Sequence, residues 1–178
     1  MKYLIHSLTL LRLFAGPLIF LLVIATQNFG LSLIIFIVAS LSDYFDGFLA
    51  RKYNLESMVG EVMDPTADKI LTLFLIITLT AHYQSSFLAF IGACILAREF
   101  WVSALREINA RNNNFVATQV TSLAKIKTTV QFAAFGCFLF SMYTNNSFLE
   151  FIAHFLLFSA LIITLQTGLS YTITTFRR

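Results

Sequence analysis

Six long apolar runs alternate with short polar breaks along this chain, at roughly Leu8–Thr26, Gly30–Ala50, Met63–Tyr83, Phe87–Ile108, Leu123–Tyr143 and Phe148–Thr172. A helix needs about 20 apolar residues to cross the hydrocarbon core of a bilayer. The pattern therefore predicts an all-α, polytopic integral membrane protein with six transmembrane helices. The breaks are Thr26-Gln27-Asn28, His82 to Ser86, Arg111 to Thr118 and Thr144 to Ser147, all polar and short. Pro17 falls inside the first run, where a kink is expected. Pro65 is expected in the first turns of the third helix, where a missing N–H costs least.

Composition agrees with the pattern. Of 178 residues, 58% are hydrophobic and 12% charged, about half the charge fraction of a soluble domain. Mean hydropathy is +0.80. The six runs leave no room for a second domain, so residues 1–178 are expected to form one transmembrane domain. No cleavable signal peptide is apparent, and no nucleic-acid partner is expected.

Charge placement sets the orientation. All twelve Lys and Arg residues lie at a terminus, in the breaks after the second and fourth runs, or at the adjoining helix ends. Eight of the nine acids share those places, Glu150 being the exception. The positive-inside rule puts both termini and the stretch 43–68 in the cytoplasm. Cys94 and Cys137 each lie within a run and read as small packing residues, neither a disulfide framework nor a metal site. His154 is expected to hydrogen-bond in the bundle interior and His82 to lie in a far loop. Ala93 with Ala97, and Ala133 with Cys137, are small-x3-small pairs able to pack helices closely.

The chemistry gathers in DYFDGFLARKYNLESMVGEVMDPTAD, from Asp43 to Asp68. Ionisable residues beside a membrane span are costly and mark function. Asp43, Asp46, Gly47 and Ala50 are spaced to share one helical face. Gly60, Asp64 and Asp68 form a second stripe if the next helix reaches back to Gly60. Gly47 and Ala50 leave room for a ligand against the backbone. Four converging carboxylates repel one another, and two divalent cations would neutralise them. Oxygen-only ligands favour Mg²⁺, Mn²⁺ or Ca²⁺. A metal pair suits in-line displacement at phosphorus.

The pattern D-x2-D-G-x2-A-R-x8-G-x3-D-x3-D is met by Asp43, Asp46, Gly47, Ala50, Arg51, Gly60, Asp64 and Asp68. It resembles that of the CDP-alcohol phosphotransferase family of integral membrane enzymes. The resemblance implies two divalent metal ions, Mg²⁺ or Mn²⁺, on Asp43, Asp46, Asp64 and Asp68. It implies Asp68 as general base, and a CDP-diacylglycerol site including Asp43, Gly47, Ala50, Arg51 and Gly60. Near the N-terminus, His6, Thr9 and Arg12 resemble the family's N-x2-T-x2-R element, with His6 where the family carries Asn. By resemblance, Thr9 and Arg12 bind the nucleotide or brace the aspartates.

A second informative region contains AREFWVSALRE and AKIKTT, between Ala97 and Thr129. It is similar to family members that use glycerol 3-phosphate as acceptor, with Ala124 where Gly is usual. An anionic, water-soluble acceptor needs cationic partners, and Arg98, Arg106 and Lys125 are the candidates. Lys125 and Lys127 point nearly opposite ways on a helix, so at most one faces a pocket; Lys125 is the expectation. The expected reaction gives phosphatidylglycerophosphate and CMP at the cytoplasmic face of a bacterial inner membrane. Membrane lipids surround the protein, and the resemblance implies a homodimer. Other acceptors, namely inositol phosphate, serine or phosphatidylglycerol, are the nearest alternatives. A divalent-cation transporter is the different-class alternative, disfavoured because the aspartates lie at helix ends and not at mid-membrane.

Overall fold

The computed structural model describes the backbone of residues 2–53, 58–112 and 122–176, and side chains within 9–42, 63–112 and 123–176. Among the described residues there are six helices and no strand: α1 (Lys2–Ile24), α2 (Phe29–Tyr53), α3 (Met58–Tyr83), α4 (Ser86–Arg111), α5 (Ser122–Thr144) and α6 (Ser147–Phe176). Each apolar run lies on one helix. The differences are at the polar ends, where α1 begins at Lys2 and α3 at Met58. Hydropathy marks where a helix would enter lipid, whereas backbone hydrogen bonding carries the helix further. Pro65 is consequently eight residues into α3, not in its opening turns, and α1 continues through Pro17.

Three of the connections are tight. Gln27, Gln84 and Asn145 each take a left-handed backbone conformation, with φ of 52°, 46° and 50°. A single such residue stops a helix and turns the chain. Side-chain caps then start the next helix: Asn28 accepts from the Leu31 amide at 3.1 Å, and Ser85 from the Leu88 amide at 3.3 Å. These caps satisfy amide donors that the first turn leaves without intrahelical partners.

The helices close into a ring in the order α1, α2, α5, α6, α4, α3 and back to α1. Its centre is filled by Ile19, Leu71, Leu75, Ile95, Phe135, Phe138 and Leu157, all essentially inaccessible. Phe14, Phe90, Phe148, Phe151 and Phe155 point outward, each about two-thirds exposed. An apolar exterior around an apolar core fits lipid as the surrounding solvent. Helices α4 (Ser86–Arg111), α5 over Leu123–Thr144 and α6 (Ser147–Phe176) are each long and apolar enough to cross a membrane. Thr9–Ile24 and Phe29–Ser42 are shorter apolar segments. On α3, Asp64, Asp68 and Lys69 interrupt the apolar run near its start.

His154 behaves as an interior residue: its Nδ1 lies 2.9 Å from the Glu150 carbonyl, and its ring meets Phe138 edge-on at 4.9 Å. Cys94 and Cys137 are free, half-buried thiols. The small-x3-small expectation is not met within the chain, because Ala93, Ala97 and Ala133 are exposed. The close approach is made by Gly92, buried against Ile76 of α3.

Candidate active site

Polar side chains are gathered where α1, α3 and α5 begin and α4 and α6 end. On α1, Thr9 and Arg12 are three residues apart and face α3. On α3, Asp64 and Asp68 are four apart and face back. Thr9 Oγ1 donates to Asp64 Oδ1 at 2.8 Å. Arg12 donates through one terminal nitrogen to Asp68 Oδ1 at 2.7 Å and through the other to Asp64 Oδ1 at 3.1 Å. Arg12 is completely buried, whereas Asp64 and Asp68 remain about one-third exposed. A buried guanidinium needs such partners, since an uncompensated buried charge costs several kcal/mol, on the order of 3–5. Thr9 and Arg12 thus meet the aspartates, as the bracing alternative expected.

Asp68 also borders a cavity of about 350 Å³ at this end of the ring, between α3, α4 and α5. Its polar lining includes Lys69, Arg98, Glu99, Arg106 and Lys127, with Thr72 and Gln131. Four of these are cations; with Asp68 and Glu99 opposed, the formal sum is +2. Lys127 is buried and ion-paired to Glu99. Arg98 lies 3.5 Å from the same carboxylate. Lys69 Nζ donates to Ser103 Oγ at 2.6 Å.

Lys125, the inward lysine of the sequence reading, is exposed and does not line the cavity. Lys127 occupies that role instead. The burial pattern decides it: Gln131, Phe135, Phe138 and Met142 form the buried stripe of α5, and one turn earlier that stripe falls on Lys127. The counting rule, that only one of the two lysines faces inward, agrees with this geometry. Glu99 and Lys69 were also missed as cavity residues.

Behind the cavity, α6 holds the two arginines. Arg98 donates to Thr167 Oγ1 at 2.7 Å, and Arg106 to the Tyr171 hydroxyl at 3.1 Å. Trp101 Nε1 to Thr172 and Asn109 Nδ2 to Thr175 continue the seam at 2.9 and 2.8 Å. From Arg98–Thr167 through Arg106–Tyr171 to Asn109–Thr175 the residue numbers rise together, so α4 and α6 run parallel and end at the same side. Among the described residues Arg111 pairs with Glu107 on its own helix face, and it is exposed.

The family model of the CDP-alcohol phosphatidyltransferases matches residues 4–166. The chain belongs to the CDP-alcohol phosphatidyltransferase family. Similar proteins include the CDP-diacylglycerol–glycerol-3-phosphate 3-phosphatidyltransferases of Shigella flexneri serotype 5b (strain 8401) and Escherichia coli (strain K12). Each is 36% identical over 167 residues, covering 92% of this chain and 90% of the relative. The protein of Escherichia coli O157:H7 with the same name matches to the same extent. The chain is accordingly an enzyme of this transferase family.

For a CDP-alcohol phosphatidyltransferase, the donor chemistry at Asp64 and Asp68 fits a hard divalent cation. Both are carboxylates one turn apart and open to solvent, and both bonds to Asp64 fall on Oδ1. Among the described residues, no three acidic, histidine or cysteine side chains converge on one point. Asp43, Asp46, Gly47, Ala50, Arg51 and Gly60, the other members of the motif, have side chains outside the described residues. The cysteines and His154 are not in this cluster, so the described donors near Asp68 are oxygens.

Proposed function

We propose that this enzyme transfers the phosphatidyl group of CDP-diacylglycerol to glycerol 3-phosphate, releasing CMP and forming phosphatidylglycerophosphate. The observation that carries the reading is the cavity: four cations against two carboxylates, with Asp68 on its border. A formal +2 matches a phosphate dianion. Among the described residues the Nε atoms of Arg98 and Arg106 are buried without a partner, which leaves these cations with donor capacity for a ligand. The names of the similar proteins support the same acceptor.

In this reading, Arg98, Arg106 and Lys127 bind the acceptor's phosphate by charge-assisted hydrogen bonds. That anchors the primary hydroxyl toward Asp68. The hydroxyl oxygen forms a bond to the phosphorus bearing the diacylglycerol, and the bond from that phosphorus to CMP breaks. The proton passes to the Asp68 carboxylate, which Arg12 orients by holding Oδ1. Positioned general-base catalysis contributes roughly 10²–10⁴-fold. Asp64 and Asp68, with Asp43 and Asp46 from α2, would hold two divalent cations, Mg²⁺ or Mn²⁺. When bound, these neutralise the pyrophosphate and the charge that develops at phosphorus. Glu99 keeps Lys127 in the cavity and gives it up to the incoming phosphate.

The topology belongs to the same proposal. All six helices cross the membrane, with both termini and the cavity on the cytoplasmic side of the bacterial inner membrane. That side supplies a water-soluble acceptor, while CDP-diacylglycerol arrives laterally through lipid. The functional unit is a homodimer.

Initial rates against each substrate at saturation of the other test the acceptor assignment. Arg106→Ala and Lys127→Ala are expected to raise the KM for glycerol 3-phosphate by about 30-fold or more, equivalent to roughly 2 kcal/mol. The KM for CDP-diacylglycerol should change little. Lys125→Ala should leave both unchanged. Equal rises in both KM values would move the acceptor elsewhere.

A further inference from the structure

Nothing in the motifs points to the last turns of α6, yet these turns touch both arginines of the cavity. Arg106 gives a hydrogen bond to the Tyr171 hydroxyl at 3.1 Å, and its guanidinium carbon lies 5.3 Å from the centre of the Tyr171 ring. The guanidinium carbon of Arg98 lies 6.0 Å from the same ring. Tyr171 is 5% exposed and packs with Val102 and Leu105, on the α4 face that carries Arg98 and Arg106. One aromatic ring therefore serves two like charges, and an aromatic face attracts guanidinium ions. Arg98 is fixed a second time, by Thr167 at 2.7 Å. Its stem runs against Gly168, where an added Cβ would come within 2.9 Å of Arg98 Cγ. Gly168 and Tyr171 lie beyond residue 166, where the family model's match ends.

We infer that Tyr171 is the positioning residue of the acceptor site: it holds Arg106, and with it the neighbouring Arg98, in the arrangement that receives the acceptor's phosphate. The inference rests on the reading of the cavity as the glycerol 3-phosphate site. Tyr171 does not touch substrate in this account; it acts through Arg106. An arginine side chain has many rotamers, and its freedom must be lost before a phosphate can be bound in one geometry. A hydroxyl acceptor and a ring face remove much of that freedom before the acceptor arrives. Lys127 is held independently by Glu99, so loss of Tyr171 weakens the site without emptying it of charge.

The test is a double-mutant cycle on KM in purified full-length protein. Tyr171→Phe keeps the ring and removes the hydroxyl. It should raise the KM for glycerol 3-phosphate about five- to tenfold, the size of one typical hydrogen bond. The maximal rate and the KM for CDP-diacylglycerol should stay within about twofold. Tyr171→Leu removes the ring as well and should raise the acceptor KM further. In an Arg106→Ala background, Tyr171→Phe should have almost no further effect, because the group it positions is gone. Multiplicative effects of the two substitutions, or equal rises in both KM values, would reduce Tyr171 to a packing residue and overturn the inference. If Arg106→Ala raises the acceptor KM and Tyr171→Phe does not, the acceptor site stands and the positioning role falls. If Arg106→Ala itself leaves the acceptor KM unchanged, the acceptor reading fails and the inference with it.

Discussion

Two buried cations near Asp68 have different partners. Arg12 is held by Asp64 and Asp68, and Lys127 by Glu99. In the sequence, the aspartates were legible from their spacing along helical faces, and Arg12 only through its resemblance to the family's N-x2-T-x2-R element. Lys127 was not, because choosing between two lysines two residues apart requires the phase of α5, which only its buried stripe reveals. The consequence of the first arrangement can be measured. Asp64→Asn and Asp68→Asn keep shape but remove the charge that Arg12 and a divalent cation require. Each should lower CMP release by roughly 10²–10⁴-fold, with the protein still eluting as a single folded species in detergent. Near-normal turnover by Asp68→Asn would remove it from proton transfer.

At the level of elements, apolar length located all six helices, but not what lets them approach. Gly92 on α4 is the clearest case. A Cβ there would lie 2.2 Å from Ile76 Cγ2 and 3.3 Å from Ile76 Cβ. Ile is β-branched and stiff, so the methyl cannot swing away freely. Gly92→Ala should therefore destabilise by about 1–3 kcal/mol despite the better helix propensity of Ala. Thermal unfolding in detergent should show a lowered Tm, whereas in an Ile76→Ala background, where the clashing methyl is gone, Gly92→Ala should lower it no further. Gly136→Ala is the control: its nearest neighbour, Phe36 Cε1, would be 3.3 Å away, and a much smaller shift is expected. A lone glycine in an apolar run carries no sequence mark of the side chain it will meet.

Over the whole molecule, loop length explains half of the ring. Short connections force α1 beside α2, α3 beside α4, and α5 beside α6. The contacts α1–α3, α4–α6 and α2–α5 are set by side chains, and of these only α1–α3 had a mark in the sequence, through Thr9 and Arg12. Arg12 reaching Asp64 and Asp68 joins α1 to α3, and the Arg98–Thr167 and Arg106–Tyr171 bonds join α4 to α6. Those pairings leave the cavity at the end of the ring where the sequence also concentrates positive charge. Orientation is testable with Cys94 and Cys137 replaced by Ser. A membrane-impermeant maleimide should label Asn145→Cys in intact cells, and Arg111→Cys only after permeabilisation. Labelling in the reverse order would invert the topology.

In the proposed reaction a phosphorylated, water-soluble acceptor enters the cationic cavity. The most direct measurement is CMP release by the purified enzyme with CDP-diacylglycerol and Mg²⁺ or Mn²⁺. Glycerol 3-phosphate, glycerol, serine and phosphatidylglycerol would be offered in turn at equal concentration. Release with glycerol 3-phosphate should exceed that with each acceptor lacking a terminal phosphate by at least about 30-fold, the equivalent of roughly 2 kcal/mol. Equal or faster release with serine, glycerol or phosphatidylglycerol would contradict it.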